Sequence, residues 1–140
     1  MKILFMCVAN SARSQLAEGL AKKMLPEAEV RSAGSDPSRL NPLAVEALKE
    51  EGVDISQHFS KSIDDLPPKF IVELDYIITL CAEEVCPTMV SQRAKKLHWP
   101  FPDPASREPL PKDAALRRFQ EARDAIKQRL ESFIKEVKNV

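Results

Sequence analysis

The chain has 140 residues, with 21 basic and 21 acidic side chains and no formal net charge at neutral pH. This length is typical of a single domain, and we expect residues 1–140 to form one. The charge balance argues against a nucleic-acid or membrane-surface partner, and no apolar run approaches the roughly 20 residues of a membrane-spanning helix. The N-terminus has one lysine before a very short apolar stretch, which predicts a strand and not a secretory signal. A cytoplasmic protein is the resulting expectation.

The first predicted elements are a strand and a helix joined by a short polar turn. The apolar run from Lys2 to Val8 is typical of a buried strand. From Ser11 to Met24 the apolar residues recur at helical spacing, and Pro26 ends the pattern. A lone thiol, Cys7, and a lone guanidinium, Arg13, lie at the two ends of this turn.

The rest of the chain continues to alternate between strands and helices. Further strands are predicted at 29–34, 76–80 and 96–99, and further helices from Asn41-Pro42 to Gly52 and over 113–137. Residues 99–111 contain five prolines and predict a loop. This alternation predicts an α/β fold, a single-domain open parallel sheet of about four strands flanked by helices. Ligands bind such sheets at the carboxyl ends of the strands, where Cys7 and Cys81 both fall.

The turn between the first strand and helix is suited to binding a tetrahedral oxyanion. The peptide N–H groups of residues 8–13 can converge on one point, and the helix N-terminus adds its positive dipole end. Arg13 can hold two of the oxygens with its planar fork. The same field favours a thiolate at Cys7, to which Ser14 can donate its hydroxyl proton. A buried, inert cysteine is the simpler alternative, but the pattern Cys-x5-Arg-Ser between strand and helix argues against it.

The sequence is similar to the low-molecular-weight protein tyrosine phosphatases and, more closely, to the thioredoxin-coupled arsenate reductases of that superfamily. The resemblance covers nearly the whole chain. It rests on the stretches 7–18 (CVANSARSQLAE), 31–34 (RSAG), 79–81 (TLC), 86–87 (CP) and 98–105 (HWPFPDPA). Ala9 and Ala12 stand where many members have glycine and cysteine, and neither change removes a catalytic group.

The resemblance assigns roles to individual residues. It implies that Cys7 is the nucleophile, that Arg13 binds the oxyanion and that Asp103 is the general acid. A Pro-Asp-Pro aspartate alone is as readily a turn residue. The oxyanion-binding loop that supports them comprises Val8, Ala9, Asn10, Ser11, Ala12 and Ser14.

Cys81 and Cys86 distinguish the two activities of the superfamily. A phosphatase needs no second thiol, whereas a reductase must deliver two electrons to arsenic. We therefore expect arsenate reduction through a relay from Cys7 to Cys81 to Cys86, with thioredoxin as external reductant. The alternative is a phosphatase acting on phosphotyrosine or small aryl phosphates, but Ala105 and Ser106 follow Asp103-Pro104 where phosphotyrosine-specific members have aromatic residues. A non-enzymatic oxyanion or redox sensor is a third possibility.

The expected partners are arsenate, with phosphate or sulfate as competing oxyanions, and thioredoxin. We expect a monomer without a tightly bound cofactor. No zinc site is predicted, because two cysteines with only His58 and His98 elsewhere form no recognised ligand set. Some related arsenate reductases bind potassium beside this loop with an aspartate. The resemblance places Lys61 at that position, where we expect its ammonium to reach Asn10 and Glu18 in place of the metal.

Overall fold

A computed structural model describes residues 1–82, 93–105 and 108–138, and at its centre lies a four-stranded parallel sheet. The strands are β1 (Lys2–Cys7), β2 (Glu29–Gly34), β3 (Tyr76–Thr79) and β4 (Lys95–His98), in the order β2-β1-β3-β4. Every neighbouring pair is parallel. The predicted α/β architecture is therefore confirmed, with four of the eight strand ends as predicted and the other four shifted by one residue.

In the described part of the chain, four α-helices connect or flank the strands. They are α1 (Arg13–Met24), α2 (Pro42–Lys49), α3 (Pro68–Val72) and α4 (Lys112–Lys138). The predicted cap of α2 is present, since the Asn41 side chain accepts the N–H of Leu43 at 2.9 Å. The sequence did not predict α3 or the 3-10 turn Ile63–Asp65, because elements of five and three residues are too short to show a period. Among the described residues, no helix is long and apolar enough to cross a membrane.

Both faces of the sheet are covered, which explains why β1 reads as a continuous apolar run. Ile3 and Phe5 pack into one core with residues of α1, α2 and α4. Leu4 and Met6 point to the other face and pack in a second core with Phe70 of α3. These four side chains of β1 are fully buried. The strand therefore fixes the position of the loop that follows it.

The chain reverses its direction of travel across the sheet at β1. From β1 it first crosses to β2 on one side, and β3 and β4 lie on the other. The carboxyl ends of β1 and β3 therefore form the crevice in which ligands of such sheets bind. Cys7 is the last residue of β1, and Cys81 lies two residues beyond Thr79, the last residue of β3.

Candidate active site

The loop between β1 and α1 turns its carbonyl groups away from its enclosed side. Each carbonyl oxygen of residues 8–12 accepts a hydrogen bond from a group beyond the loop. The donors are, in order, the Asp36 amide, the Ser38 amide together with the Ser60 hydroxyl, the Gln15 side chain, the Asn41 amide and the Leu16 amide. The N–H and carbonyl of a trans peptide point in opposite directions. The loop N–H groups are therefore left for the enclosed side, as an oxyanion cradle requires.

Asn10 fastens this loop to three other parts of the chain. It is fully buried and has a φ of +48°, a left-handed conformation that asparagine tolerates better than most residues. Its Nδ2 donates to the hydroxyls of Ser14 (2.8 Å) and Ser32 (2.9 Å). Its Oδ1 accepts from Gln15 Nε2 and from the main-chain N–H of Lys61, both at 3.0 Å. All four hydrogen-bonding positions of the amide are thus used.

Gly34 allows the end of β2 to approach the loop closely. A Cβ atom at this position would lie 2.4 Å from the carbonyl oxygen of Val8 and 2.9 Å from the Asn10 nitrogen. Both are backbone atoms that cannot swing aside. A residue without a side chain is therefore required where β2 supports the loop.

Ser14 makes a hydrogen bond with the Cys7 sulfur. Cys7 Sγ lies 2.9 Å from Ser14 Oγ, and both side chains are buried. Because the Asn10 amide nitrogen can only donate, the Ser14 oxygen accepts from it. When Cys7 is a thiolate, sulfur can only accept, and the Ser14 hydroxyl is then the donor. A proton directed at sulfur stabilises the thiolate form, which is the nucleophile. The contact predicted between Ser14 and Cys7 is present.

Helix α1 begins beside the thiol, and its first turn contains no carboxylate that would neutralise the positive end of the helix dipole. Its N-cap is Ala12, which provides no side-chain cap, and its first turn contains no acidic residue. The positive end of the helix therefore faces the crevice with no carboxylate from that turn. This arrangement favours an external anion at the helix N-terminus.

Arg13 connects the loop with the segment that contains Asp103. Its Nη1 donates to the main-chain oxygen of Phe101 at 2.9 Å, and its Nη2 lies 4.0 Å from Asp103 Oδ2. The Arg13 side chain is buried, whereas that of Asp103 is 52% exposed. The structure thus brings together the predicted nucleophile, oxyanion-binding arginine and general acid at one end of the sheet.

Cys81 lies at the same end of the sheet as Cys7. The parallel register pairs Met6 with Thr79, and the Leu80 amide donates to the Met6 carbonyl at 2.9 Å. Continued by one residue, this register sets Cys7 opposite Leu80, immediately before Cys81. Both cysteine side chains are buried. Cys86 and Ser106 lie outside the described residues, so the predictions on them stay predictions.

Behind the loop, the buried carboxylate of Glu18 gathers several partners. Ser32 donates its hydroxyl proton to Oε1, and Lys22 Nζ lies 2.5 Å from Oε2. Lys61 Nζ is 3.6 Å from Oε1, and His58 Nε2 is 3.8 Å from Oε2. Burial raises the pKa of Glu18, but the Lys61 charge and the hydrogen bonds of Lys22 and Ser32 outweigh it and hold that pKa below its ordinary value. The carboxylate is therefore the stable form.

A continuous chain of hydrogen bonds runs from this carboxylate to the thiol. Ser32 accepts from Asn10 Nδ2 and gives its own proton to Glu18. Asn10 in turn donates to Ser14, whose hydroxyl contacts Cys7. The Asn10 amide and the ionised Glu18 fix the donor directions from Asn10 to both serines and from Ser32 to Glu18. Asn10 thus links the buried charge behind the loop to the Ser14 hydroxyl beside the thiol.

Lys61 meets part of the expectation from the sequence. Its side chain is 10% exposed and lies beside Glu18, as predicted. Burial lowers the pKa of Lys61, and the neighbouring Glu18 opposes that shift. The contact with Asn10 differs from the prediction, because it is made by the main-chain N–H and not by the ammonium. An ammonium beside the Glu18 carboxylate repels a metal cation, so these residues do not fit a potassium site.

Two supporting residues were not found from the sequence. Gln15 is fully buried and donates to the main-chain oxygen of Phe59 at 3.0 Å, while its Oε1 contacts His58 Nδ1 at 3.0 Å. Burial also lowers the pKa of His58, with Glu18 opposing. A glutamine next to Ser14 on a helix has no local signal for such a role, because two of its partners, Phe59 and His58, lie over 40 residues away.

Comparison with known proteins identifies the family. The low molecular weight phosphotyrosine protein phosphatase family matches residues 2–140. The chain is 44% identical over 134 residues to the arsenate reductase of Bacillus licheniformis, which covers 94% of this chain and 93% of that protein. The chain therefore belongs to the low molecular weight phosphotyrosine protein phosphatase family. The inferred resemblance to the arsenate reductases of that superfamily is confirmed.

Solved structures agree with this assignment. An arsenate reductase in the phosphate-binding state superimposes with a TM-score of 0.75 at 30% identity, covering 97% of this chain and 98% of the other. A thioredoxin-dependent arsenate reductase of Corynebacterium glutamicum gives a TM-score of 0.72 at 32% identity. That match covers 98% of this chain and 61% of the other. Both neighbours share the fold over almost the full length of this chain.

We expect potassium to have no specific effect on this protein. With ionic strength matched by sodium, neither the melting temperature nor the catalytic efficiency should change, because the Lys61 ammonium already lies beside Glu18. Lys61→Asp should introduce a potassium response, since a carboxylate in place of the ammonium helps to hold a cation. The measurement is thermal unfolding of both proteins in potassium and sodium chloride. A clear rise in the melting temperature of the unmodified protein in potassium would contradict this interpretation of Lys61.

Proposed function

We propose that this protein reduces arsenate to arsenite through three thiols and that thioredoxin restores them. The observation that carries the proposal is the pair of buried thiols at the carboxyl ends of two neighbouring strands. Cys7 ends β1, and Cys81 lies just beyond the end of the neighbouring β3. Relatives named as arsenate reductases support arsenate as the substrate, and one of them is in a phosphate-binding state. Another is thioredoxin-dependent, which supports thioredoxin as the reductant.

The first step joins Cys7 to arsenic. The thiolate attacks arsenate, so a sulfur–arsenic bond forms and one arsenic–oxygen bond breaks. Asp103 gives its proton to the departing oxygen, which leaves as water. Arg13 and the loop N–H groups hold the remaining oxygens during this displacement. Arsenic is still in the +5 state in the resulting ester.

The next steps transfer two electrons to arsenic. The Cys81 thiolate attacks the Cys7 sulfur, and the sulfur–arsenic bond breaks with its electron pair left on arsenic, which departs as arsenite. The Cys86 thiolate then attacks the Cys81 sulfur and releases Cys7 as a thiolate. The resulting Cys81–Cys86 disulfide is reduced by the dithiol of thioredoxin through thiol–disulfide exchange.

The cycle requires a compartment in which thioredoxin is kept reduced. The cytoplasm is such a compartment, and structural disulfides are rare there. We therefore propose that the protein acts in the cytoplasm. We also propose that it acts as a monomer and without a tightly bound cofactor. Gel filtration with light scattering tests the monomer, and a stable dimer would contradict it.

The decisive experiment measures arsenate-dependent oxidation of NADPH. We expect turnover with thioredoxin and thioredoxin reductase, and little with glutaredoxin and glutathione. Activity with glutaredoxin and glutathione but not with thioredoxin would overturn the proposed reductant and leave arsenate as the substrate. The absence of arsenate turnover with either system would overturn the proposed function.

The family suggests hydrolysis of aryl phosphates as a second candidate. The same thiolate, arginine and acid can cleave a phosphate ester, with water opening the phosphocysteine. Ala105 follows Asp103-Pro104 and provides no aromatic surface against a substrate ring. We therefore expect only weak hydrolysis of para-nitrophenyl phosphate. An efficiency comparable with that of arsenate reduction would favour the phosphatase.

Cys86→Ser should stop the cycle after one turnover. Without the third thiol, nothing resolves the Cys7–Cys81 disulfide, so each protein molecule should release one arsenite and then stall. Mass spectrometry of the arsenate-treated variant, after alkylation and digestion, should find Cys7 linked to Cys81. Repeated arsenite formation with thioredoxin, together with a free Cys7, would refute the relay.

A further inference from the structure

The loop that contains Asp103 has few main-chain hydrogen-bond donors. Proline occupies positions 100, 102 and 104, and proline has no N–H. The amide of Trp99 donates to the Thr79 carbonyl at 2.8 Å, and that of Phe101 donates to the Leu80 carbonyl at 3.2 Å. These two bonds fasten the loop to the end of β3 as far as Phe101, two residues before Asp103.

Beyond Phe101 the loop is poorly packed on the helix beneath it. A cavity of about 270 Å³ lies between residues 101–104 and α4. On the helix side it is lined by Arg118, Glu121, Ala122 and Ala125, and the two alanine side chains are too short to fill it. The Asp103 side chain is half exposed. Packing therefore does little to fix the position of this carboxyl group.

Arg118 spans the cavity from α4 to the loop. Its Nη2 donates to the main-chain oxygen of Asp103 at 3.2 Å. The next residue, Phe119, is 1% exposed in the main core, so the helix backbone that bears Arg118 is firmly held. The Asp103 carboxyl has other neighbours, with Oδ1 accepting the Ala105 N–H at 3.0 Å and Oδ2 lying 4.0 Å from Arg13. Arg118 thus holds the main chain at the residue that must deliver a proton.

We infer that Arg118 is a positioning residue for Asp103, which it holds within reach of the departing oxygen. The inference rests on the proposed function, in which Asp103 is the general acid. Arg118 contacts the acid loop and not the oxyanion-binding loop, so its loss lowers the rate and leaves oxyanion affinity unchanged. One solvent-facing hydrogen bond predicts a loss of roughly three- to tenfold in kcat. Removing the acid itself predicts a loss of about 10²- to 10⁴-fold.

A double-mutant cycle tests this inference with thioredoxin-coupled arsenate turnover. Arg118→Ala should lower kcat roughly three- to tenfold in the otherwise unmodified protein. It should cause no further loss in an Asp103→Asn background, because the group that it positions is already absent. The inhibition constant of phosphate should stay unchanged, and Arg118→Lys should recover part of the rate. Arg117→Ala, at an exposed neighbour on the same helix turn, is the matched control and should be silent.

Several outcomes would overturn the inference. An equal loss in the Asp103→Asn background would mean that Arg118 acts independently of the acid. A similar loss in Arg117→Ala, or weaker phosphate inhibition in Arg118→Ala, would point to a general structural effect. If the protein reduces no arsenate, the proposed function fails, and the same cycle is measured on aryl phosphate hydrolysis, which uses the same acid. A protein inactive in both reactions would overturn both ideas.

Discussion

Cys7→Ser should abolish both arsenate reduction and aryl phosphate hydrolysis, with losses on the order of 10⁴-fold or more. The loop, the Ser14 hydroxyl and the start of α1 stabilise a thiolate at this position. A serine hydroxyl is far less acidic than a thiol and is not ionised near neutral pH. The measurement is steady-state turnover of arsenate with thioredoxin and of para-nitrophenyl phosphate without it.

The variant should retain its fold, because oxygen replaces sulfur in a buried position without adding volume. Thermal unfolding and the dissociation constant of phosphate serve as controls for the fold and for the oxyanion cradle. If the variant shows neither a cooperative unfolding transition nor phosphate binding, misfolding explains its inactivity. Reductase activity above a few per cent of that of the unmodified protein would refute Cys7 as the nucleophile.

Cys81→Ser should separate the two reactions of the same site. Arsenate turnover with thioredoxin should be abolished, since the thiolate that attacks the Cys7 sulfur and releases arsenite is then missing. Hydrolysis of an aryl phosphate should be spared, because it requires the thiolate, the arginine and the acid alone. Both rates are measured on one preparation, so that the retained hydrolysis reports an intact active site.

Two results would contradict this prediction. Arsenate turnover in Cys81→Ser would show that the electrons follow another route, for instance directly from an external thiol to the Cys7–arsenic ester. A parallel loss of phosphate hydrolysis would indicate that buried Cys81 is needed for the packing of the site. Cys7→Ser is the matched control, since it is expected to lose both reactions together.

Much of the fold could be predicted from the sequence because its signals are local. The apolar run of β1 and the helical spacing of α1 lie within the first 24 residues, and both elements formed as expected. The parallel direction of the strands also follows from the alternation of strands and helices, because crossover connections make neighbouring strands parallel. The short α3 and the 3-10 turn were missed, because their formation depends on packing beneath the sheet and not on a periodic pattern.

The sequence by itself determined the centre of the candidate site. Cys7, Arg13 and Ser14 lie on one strand–loop–helix segment, so their spacing along the chain largely fixes their geometry in space. The contact between Cys7 and Ser14 spans only seven positions and was predictable for that reason. The second thiol, Cys81, could be placed at the same end of the sheet as Cys7 because β3 runs parallel to β1.

Only the tertiary structure decided what surrounds this centre. The partner of Arg13 on the acid loop is 88 residues away, and the main-chain partner of the Asn10 side chain at Lys61 is 51 residues away. Such contacts depend on how loops of irregular conformation pack against the ends of the strands, and no periodic pattern encodes that packing. The buried charge of Glu18, with its lysine partners, and the Arg118 contact to Asp103 arise in the same way. Local spacing thus fixed the nucleophile and the cradle, whereas long-range packing set their hydrogen-bond directions and electrostatic support.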